Sequence, residues 1–278
     1  MMLREFGYEL KRVHSRVSIG GTSMPNSEAP KNIDTATDLA AGDFTSSENP
    51  LTQHFLSHSG SDLNKWHHYF DVYHRWFAPF RGKANLRVLE IGVSKGGSLR
   101  MWRDYFGSTA TIVGIDINSD CQRHENPNEQ IFVRIGSQDN VSFLKDIVEE
   151  FGPFDIIIDD GSHFSPHQIT TLKALYVDGL KNEGVYLVED THANNWEVAN
   201  DEVSKDSTFI HFAKQLVDRL GEPYDQFIDV RNFKLNHPMR VMRCSVSYFC
   251  AHTKGIYFAD SVVVFEKSAR SMPVHQTR

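Results

Sequence analysis

Two short stretches of this chain place acidic side chains directly after an apolar run. Residues 154–163 read FDIIIDDGSH and residues 185–190 read VYLVED. Apolar runs of this length predict buried strands. In an open α/β sheet, ligands bind beyond the carboxyl ends of the strands. If the two strands are neighbours, their ends bring together three carboxylates, those of Asp160, Glu189 and Asp190.

This arrangement predicts a metal site with a base beside it. Three carboxylates in a low-dielectric cleft repel one another, and a divalent cation relieves that repulsion. An all-oxygen ligand set suits Mg, with Mn or Ca as alternatives. His163 shares a loop with Asp160 and is a candidate for accepting a proton near neutral pH. His192 is a weaker candidate for substrate contact.

Other interpretations of these residues remain open. The acids would serve equally as helix N-caps or as solvated loop residues. His163 would then only hold the shape of its loop.

A second candidate site is the glycine turn in residues 88–98, VLEIGVSKGGS. Glycines let the backbone approach a ligand, and the start of the following helix favours a negative group. Asp116 ends the next predicted strand, 24 residues after Gly92, where an acid can bind both hydroxyls of a ribose. The spacing is not G-x-G-x-x-G, which disfavours a dinucleotide. A purely structural turn is the alternative.

Predicted strands and helices alternate from Leu86 onward. The strands are predicted at 87–91, 111–115, 131–135, 154–158, 185–188, 241–249 and 261–266, and the helices at 97–106, 141–151, 165–180 and 207–220. Repeated strand–helix units indicate an α/β fold with a doubly wound, mostly parallel sheet. We predict seven strands, the last two forming a closing antiparallel hairpin that turns at 252–255.

The residues before the sheet divide into a helix, an arm and an aromatic segment. Apolar residues spaced by three and four from Leu3 to Val17 predict a basic amphipathic helix, which favours packing on its own domain or a sister subunit over membrane contact. Residues 19–52 have the composition of a linker or a loosely packed arm. We therefore predict an N-terminal helix and arm over 1–60 and an α/β domain over 61–278. The segment 63–77 has two interpretations. Most aromatic residues are core, which favours a buried helix that covers the sheet edge. Alternatively, the segment carries Lys65, His68 or Tyr69 into the cofactor site.

Bulk composition excludes several classes of protein. The 278 residues carry a net charge of −7 and the pI is near 6.0, which disfavours a nucleic-acid partner. The three cysteines lack metal-type spacing and indicate a reduced, cytoplasmic protein. No apolar run approaches membrane-spanning length, and Met1–Leu10 is too polar for a signal peptide. We expect a homo-oligomer because of the N-terminal helix and arm.

The motifs at the two candidate sites resemble those of a known family. Residues 90–98 and 114–116 resemble the first two motifs of class I S-adenosylmethionine-dependent methyltransferases, which have a Rossmann-like fold. Residues 159–163 and 188–190 resemble a narrower group, the metal-dependent sugar O-methyltransferases of macrolide biosynthesis (the mycinamicin type) and their cephalosporin-hydroxylase-like relatives. The similarity runs from about Leu63 to Lys267.

The resemblance implies S-adenosylmethionine as the methyl donor and 61–278 as the methyltransferase domain. It implies Mg²⁺ bound by Asp160, Glu189 and Asp190, with His163 as the base. The donor is predicted to contact Glu90, Gly92 and Ser98 at its methionine end, Asp116 at the ribose, Ser137 and Gln138 near the adenine, and also Asp159, Lys65 and Tyr69. Asp159 is equally a structural acid, and Asp139 a helix cap.

The function that follows is Mg-dependent transfer of a methyl group to a hydroxyl of a sugar or glycosylated natural product, with the acceptor diol on the metal. Mycinamicin-type enzymes carry a larger N-terminal auxiliary domain, whereas here we predict only an arm, so the acceptor is not identified. The alternatives are a methyltransferase for a non-sugar small molecule, an NAD-type oxidoreductase, and a binding protein that keeps the fold without turnover.

Overall fold

The computed structural model describes residues 48–195, 205–225 and 245–271. These residues all fall within one compact unit, residues 43–278. The amphipathic helix predicted between Leu3 and Val17 lies outside the described residues, as do most of the predicted arm and positions 241–244.

Seven strands within the described ranges form one mixed sheet, in the order β3-β2-β1-β4-β5-β7-β6. The strands are β1 (Arg87–Ile91), β2 (Thr111–Asp116), β3 (Ile131–Ile135), β4 (Phe154–Asp159), β5 (Leu180–Val188), β6 (Thr253–Ala259) and β7 (Val262–Lys267). Strands β1 to β5 run parallel to one another, and β7 is antiparallel to both β5 and β6. The predicted fold class is therefore confirmed.

Helices cover both faces of this sheet. They are α1 (Pro50–Ser57), α2 (Tyr69–Phe77), α3 (Gly97–Phe106), α4 (Val141–Phe151), α5 (Ser165–Leu175), α6 (Phe209–Arg219), α7 (Glu222–Asp225) and α8 (Tyr248–His252). One apolar cluster joins α1, α2 and α3 to one face, and a second joins α4, α5 and α6 to the other. Because the parallel strands are covered on both sides, polar chemistry is confined to their ends. None of the helices in these ranges has the length and apolar character that a membrane crossing requires.

The first strand of the final hairpin was predicted at the wrong place. Residues 248–252 of the described chain form helix α8, which Ser247 caps with its side chain, and β6 begins only at Thr253. The turn lies at Asp260 and Ser261 rather than at 252–255. The physical reason is that β6 is an edge strand with several exposed residues, so it lacks the apolar pattern that marks a buried strand.

The helix after the central strand is shorter than predicted. It ends at Leu175 instead of about Leu180, and Leu180 already begins β5. Gly184 lies inside β5, where a Cβ would come within 2.9 Å of the carbonyl oxygen of Asp155. Its small size thus serves a close contact between strands. The N-cap is Phe164, whose side chain makes no capping hydrogen bond.

Helix α1 lies in the stretch that was predicted to be an arm. Asn49 caps it by accepting a hydrogen bond from the amide of Leu51, whose side chain is buried. The Asn49 amide nitrogen also donates to the carbonyl oxygen of Phe70 at 2.9 Å. These contacts attach α1 to α2, and the domain boundary at residue 60 stays a prediction.

Candidate active site

Strands β4 and β5 bring the three predicted carboxylates to one edge of the sheet. The strands pair in parallel with Asp159 opposite Val188, so the residues that follow each strand are also adjacent. The amide of Glu189 donates to the carbonyl oxygen of Asp159 at 2.9 Å. Side-chain ligand atoms of Asp160, His163 and Asp190 all lie within 4.8 Å of one another.

A lysine from the segment before α2 sits among these acids. The Lys65 ammonium group donates to Asp160 Oδ2 and, at 2.8 Å, to Glu189 Oε2. Its side chain is only 4% exposed. Burial would lower the pKa of Lys65, but the negative charges of Asp160 and Glu189 outweigh burial and raise it.

Glu189 is the most deeply buried of the three acids. Burial raises its pKa to about 8, the charge of Asp160 adds to that rise, and Lys65 opposes it. The hydroxyl of Tyr73 lies near Glu189, but neither this hydroxyl nor the second oxygen of Glu189, Oε1, has a hydrogen bond of ordinary geometry. A buried acceptor in this condition is costly unless a further cation or donor satisfies it.

His163 and Asp190 form the exposed side of the cluster. His163 Nε2 lies 3.6 Å from Asp190 Oδ2, and the Tyr69 hydroxyl donates to Asp190 Oδ1 at 2.6 Å. Both His163 and Asp190 have left-handed backbone conformations, with φ of 55° and 51°. Strained, non-glycine residues of this kind concentrate at functional sites.

The glycine turn after β1 lies beside this cluster. A Cβ on Gly92 would stand 2.0 Å from the carbonyl oxygen of Asp160, so the turn and the acidic loop are in direct contact. Asp116 accepts hydrogen bonds from the amides of Val93 and Ser94, at 2.9 and 3.0 Å, on one carboxylate oxygen. Its other oxygen accepts from the amide of Asn118. Asp116 thus organises the turn at the position predicted to bind the ribose.

Two of the three residues predicted at the methionine end of the donor, Glu90 and Ser98, bind each other. Glu90 is fully buried; its oxygens accept hydrogen bonds from Ser98 Oγ and from Trp102 Nε1, both at 2.8 Å. Burial raises the pKa of Glu90 to about 7, and Lys65 opposes that rise. This network joins β1 to α3 under the glycine turn, while direct contact of Glu90 or Ser98 with a donor stays a prediction.

Gln138 and Asp159 form a second buried network below the acidic loop. Gln138 Nε2 donates to Asp159 Oδ1 at 3.0 Å, and Gln138 Oε1 accepts from the amide of Ser162 at 2.7 Å. Asp159 is fully buried, and burial raises its pKa to about 6 against the hydrogen bond from Gln138. Ser137 instead donates to Asp139 at 2.5 Å, and the cap of α4 is Asn140 rather than Asp139. Asp159 and Gln138 therefore hold the loop that carries His163.

Lys65 and Tyr69 reach the acidic cluster, not the end of β2 where Asp116 lies. They line a cavity of about 60 Å³ together with Asn64, Trp66 and the three carboxylates. Trp66 is exposed at its mouth, and its ring lies 5.9 Å from that of His192. A larger groove of about 610 Å³ runs between α1 and α3 and shares Gly96 with the glycine turn, but none of the three carboxylates lines it.

Sequence reasoning missed two side chains of this site. Tyr73 lies one helical turn after Tyr69 and faces Glu189; the spacing of four residues on α2 was an available signal. Gln168 on α5 donates to the backbone oxygen of Glu189 at 3.3 Å. No local sequence pattern predicts that contact, because Gln168 and Glu189 lie 21 residues apart in the chain.

The side chains of this acidic cluster fit a divalent cation. One ammonium group and three carboxylates leave a formal charge of −2 when all four are ionised. Carboxylate oxygens are ligands that Mg²⁺ prefers, and Mg²⁺ keeps several water molecules, for which a cavity of this size has some room.

The sequence is similar to those of known methyltransferases. The 8-demethyl-8-alpha-L-rhamnosyl tetracenomycin-C 2'-O-methyltransferase of Streptomyces olivaceus is 39% identical over 171 residues, 58% of this chain and 43% of that protein. The mycinamicin VI 2''-O-methyltransferase of Micromonospora griseorubida is 36% identical over 139 residues, 47% of this chain and 33% of that protein. The chain thus spans less than half the length of these curated relatives. No protein-family model matches it.

A solved structure decides the architecture. The MycE methyltransferase of the mycinamycin biosynthetic pathway, in complex with Mg, SAH and mycinamycin VI, superposes with a TM-score of 0.63. The two sequences are 27% identical, and the match covers 80% of this chain and 53% of the MycE chain. The chain has the Rossmann-like methyltransferase fold. The resemblance to mycinamicin-type sugar O-methyltransferases is confirmed, and these matches favour methyl transfer over the NAD-type oxidoreductase.

Proposed function

We propose that this methyltransferase-fold protein transfers a methyl group from S-adenosylmethionine to a hydroxyl of a sugar or glycosylated small molecule. The observation that carries the proposal is the convergence of Asp160, Glu189 and Asp190, with His163 beside them, next to a glycine turn of methyltransferase type. Two relatives are named as O-methyltransferases of a rhamnosyl tetracenomycin-C and of mycinamicin VI.

The donor cleft is assigned to the turn after β1. Asp116 would exchange its bonds to loop amides for bonds to ribose hydroxyls, and Gly92 and Gly96 let the backbone come close to the donor. The sulfonium is already activated, so much of the rate would come from holding the acceptor oxygen in line with the methyl group.

Asp160, Glu189 and Asp190 would hold Mg²⁺. When bound, the ion would orient two neighbouring hydroxyls of the acceptor and lower the pKa of the reacting one. His163 would take the proton of that hydroxyl at Nε2. Asp190, 3.6 Å away, stabilises the imidazolium that forms. During this transfer the S–CH₃ bond breaks, an O–CH₃ bond forms, the proton moves to His163 and S-adenosylhomocysteine leaves.

Calorimetry with S-adenosylhomocysteine, followed by a labelled-methyl assay on a panel of glycosides, tests the proposal. We expect donor binding, and transfer that chelator abolishes and added Mg²⁺ restores. NADH titrated in parallel should give no heat. Absence of donor binding would refute methyl transfer, and transfer that persists in chelator would refute the role of the metal. The panel should pair each glycoside with its non-sugar diol analogue, because equal turnover of both would refute sugar selectivity.

A further inference from the structure

Lys65 stands where a bound cation would satisfy two of the three acids. Its ammonium group bridges Asp160 Oδ2 and Glu189 Oε2 across elements that are 95 and 124 residues away in the chain. No other lysine or arginine among the described residues forms an ion pair with these two carboxylates. The ammonium group therefore carries the charge compensation that a metal ion would otherwise supply.

The surroundings hold this lysine firmly in the cluster. Its side chain is 4% exposed, and its ammonium group lies 5.9 Å from the centre of the Tyr73 ring. The segment that carries it also touches the glycine turn, because a Cβ on Gly97 would meet the carbonyl oxygen of Asp62 at 2.5 Å. The small cavity that Trp66 and Asn64 also line borders this ammonium group.

We propose that Lys65 is a built-in competitor for the divalent cation, which pairs with Asp160 and Glu189 in the metal-free protein and leaves Asp160 when the metal binds. This inference rests on the proposed metal-dependent function. A monovalent ammonium group and Mg²⁺ cannot both sit against the same carboxylate oxygen without strong mutual repulsion. The lysine thus keeps the acids assembled in the absence of metal and weakens metal binding by the free energy of its own ion pairs.

The test is metal affinity in the full chain, measured by calorimetry with Mg²⁺ and by electron paramagnetic resonance with Mn²⁺. Lys65→Met removes the charge and keeps the length of the side chain, and Lys65→Gln adds a second neutral variant should the first fold poorly. The matched control is Lys181→Met, because Lys181 also pairs with a buried carboxylate, that of Asp155 at 2.7 Å, at the opposite end of the sheet. We expect Lys65→Met to bind the metal at least about tenfold more tightly than wild type, and Lys181→Met to bind as wild type does.

A second readout is thermal unfolding with and without Mg²⁺. The metal-free Lys65→Met protein should melt below wild type, since three carboxylates then lack a cation, and Mg²⁺ should raise its midpoint by more than it raises that of wild type.

The outcomes separate this inference from the proposed function. If wild type binds metal and Lys65→Met binds it more weakly or equally well, Lys65 is not a competitor, while the metal-dependent function stands. If only the Lys65 variants bind metal, the competition is supported and the metal-dependent function of the wild-type protein fails. If no variant binds metal, both ideas are overturned.

Discussion

The contact between Gly92 and the acidic loop makes a sharp prediction about Gly92→Ala. A Cβ at this position would lie 2.0 Å from the carbonyl oxygen of Asp160 and 2.8 Å from its carbonyl carbon. Both are backbone atoms, so no flexible side chain can yield. Since real Cβ contacts essentially never fall below 3.0 Å, Asp160 must retreat by at least 1.0 Å from the glycine turn.

That displacement acts on the candidate ligand and on the turn together. A misplacement of about 1 Å costs on the order of 100-fold in rate when positioning supplies much of the catalysis. The amide of Asp160 donates to the carbonyl oxygen of Ile91 at 2.9 Å, so the strain also reaches the end of β1. We expect the rate of methyl transfer to fall about 100-fold, with weaker Mn²⁺ binding.

Gly107→Ala is the matched control for this experiment. Gly107 has nearly the same backbone angle, φ 91° against 95° for Gly92, but a Cβ there meets nothing within 4 Å. Both variants should lose on the order of 1–3 kcal/mol of unfolding free energy from the positive φ alone. Denaturant unfolding measures that loss, and the labelled-methyl assay measures the rate. The reasoning is refuted if Gly92→Ala keeps the rate and metal affinity of Gly107→Ala.

Two further predictions concern a proton acceptor and an ion-pair anchor. His163→Gln should lower the rate constant of methyl transfer by about 100-fold or more while leaving the affinity for S-adenosylhomocysteine unchanged. The control is His167→Gln, because His167 has a similar exposure and lies in the next helix; this variant should change the rate constant by less than about threefold. Equal losses in the two variants would deny His163 a special role. Asp155→Ala should lower the unfolding free energy by about 2–3 kcal/mol at pH 7, because its buried carboxylate accepts from Lys83 and Lys181, both at 2.7 Å. Burial alone would raise the pKa of Asp155, but these lysines outweigh it and lower the pKa; the contribution is therefore complete above the unfolded pKa of about 4 and is lost as pH falls through the folded value. Urea unfolding from pH 7 to pH 3 should show the gap between wild type and variant closing below about pH 4, and a constant gap would contradict the argument.

Local pattern was a good guide wherever consecutive residues carry an apolar run or an amphipathic stripe. The parallel strands β1 to β4 and helices α3 and α4 match their predicted positions within a residue, because continuous apolar runs and amphipathic stripes are written in consecutive residues. The edge strand β6 was misplaced because its exposure removes that pattern. The start of β5 was misplaced for a related reason, since Lys181, Asn182 and Glu183 are polar residues at its exposed end.

The candidate site divides in the same way. The sequence by itself determined that Asp160, Glu189 and Asp190 follow buried strands, because a strand's end is a local property. Only the tertiary structure decided that Lys65 lies between two of them and that Gly92 touches the carbonyl of Asp160. Those contacts join residues far apart in the chain, and they depend on strand order and on the approach of neighbouring loops, which no short-range pattern encodes.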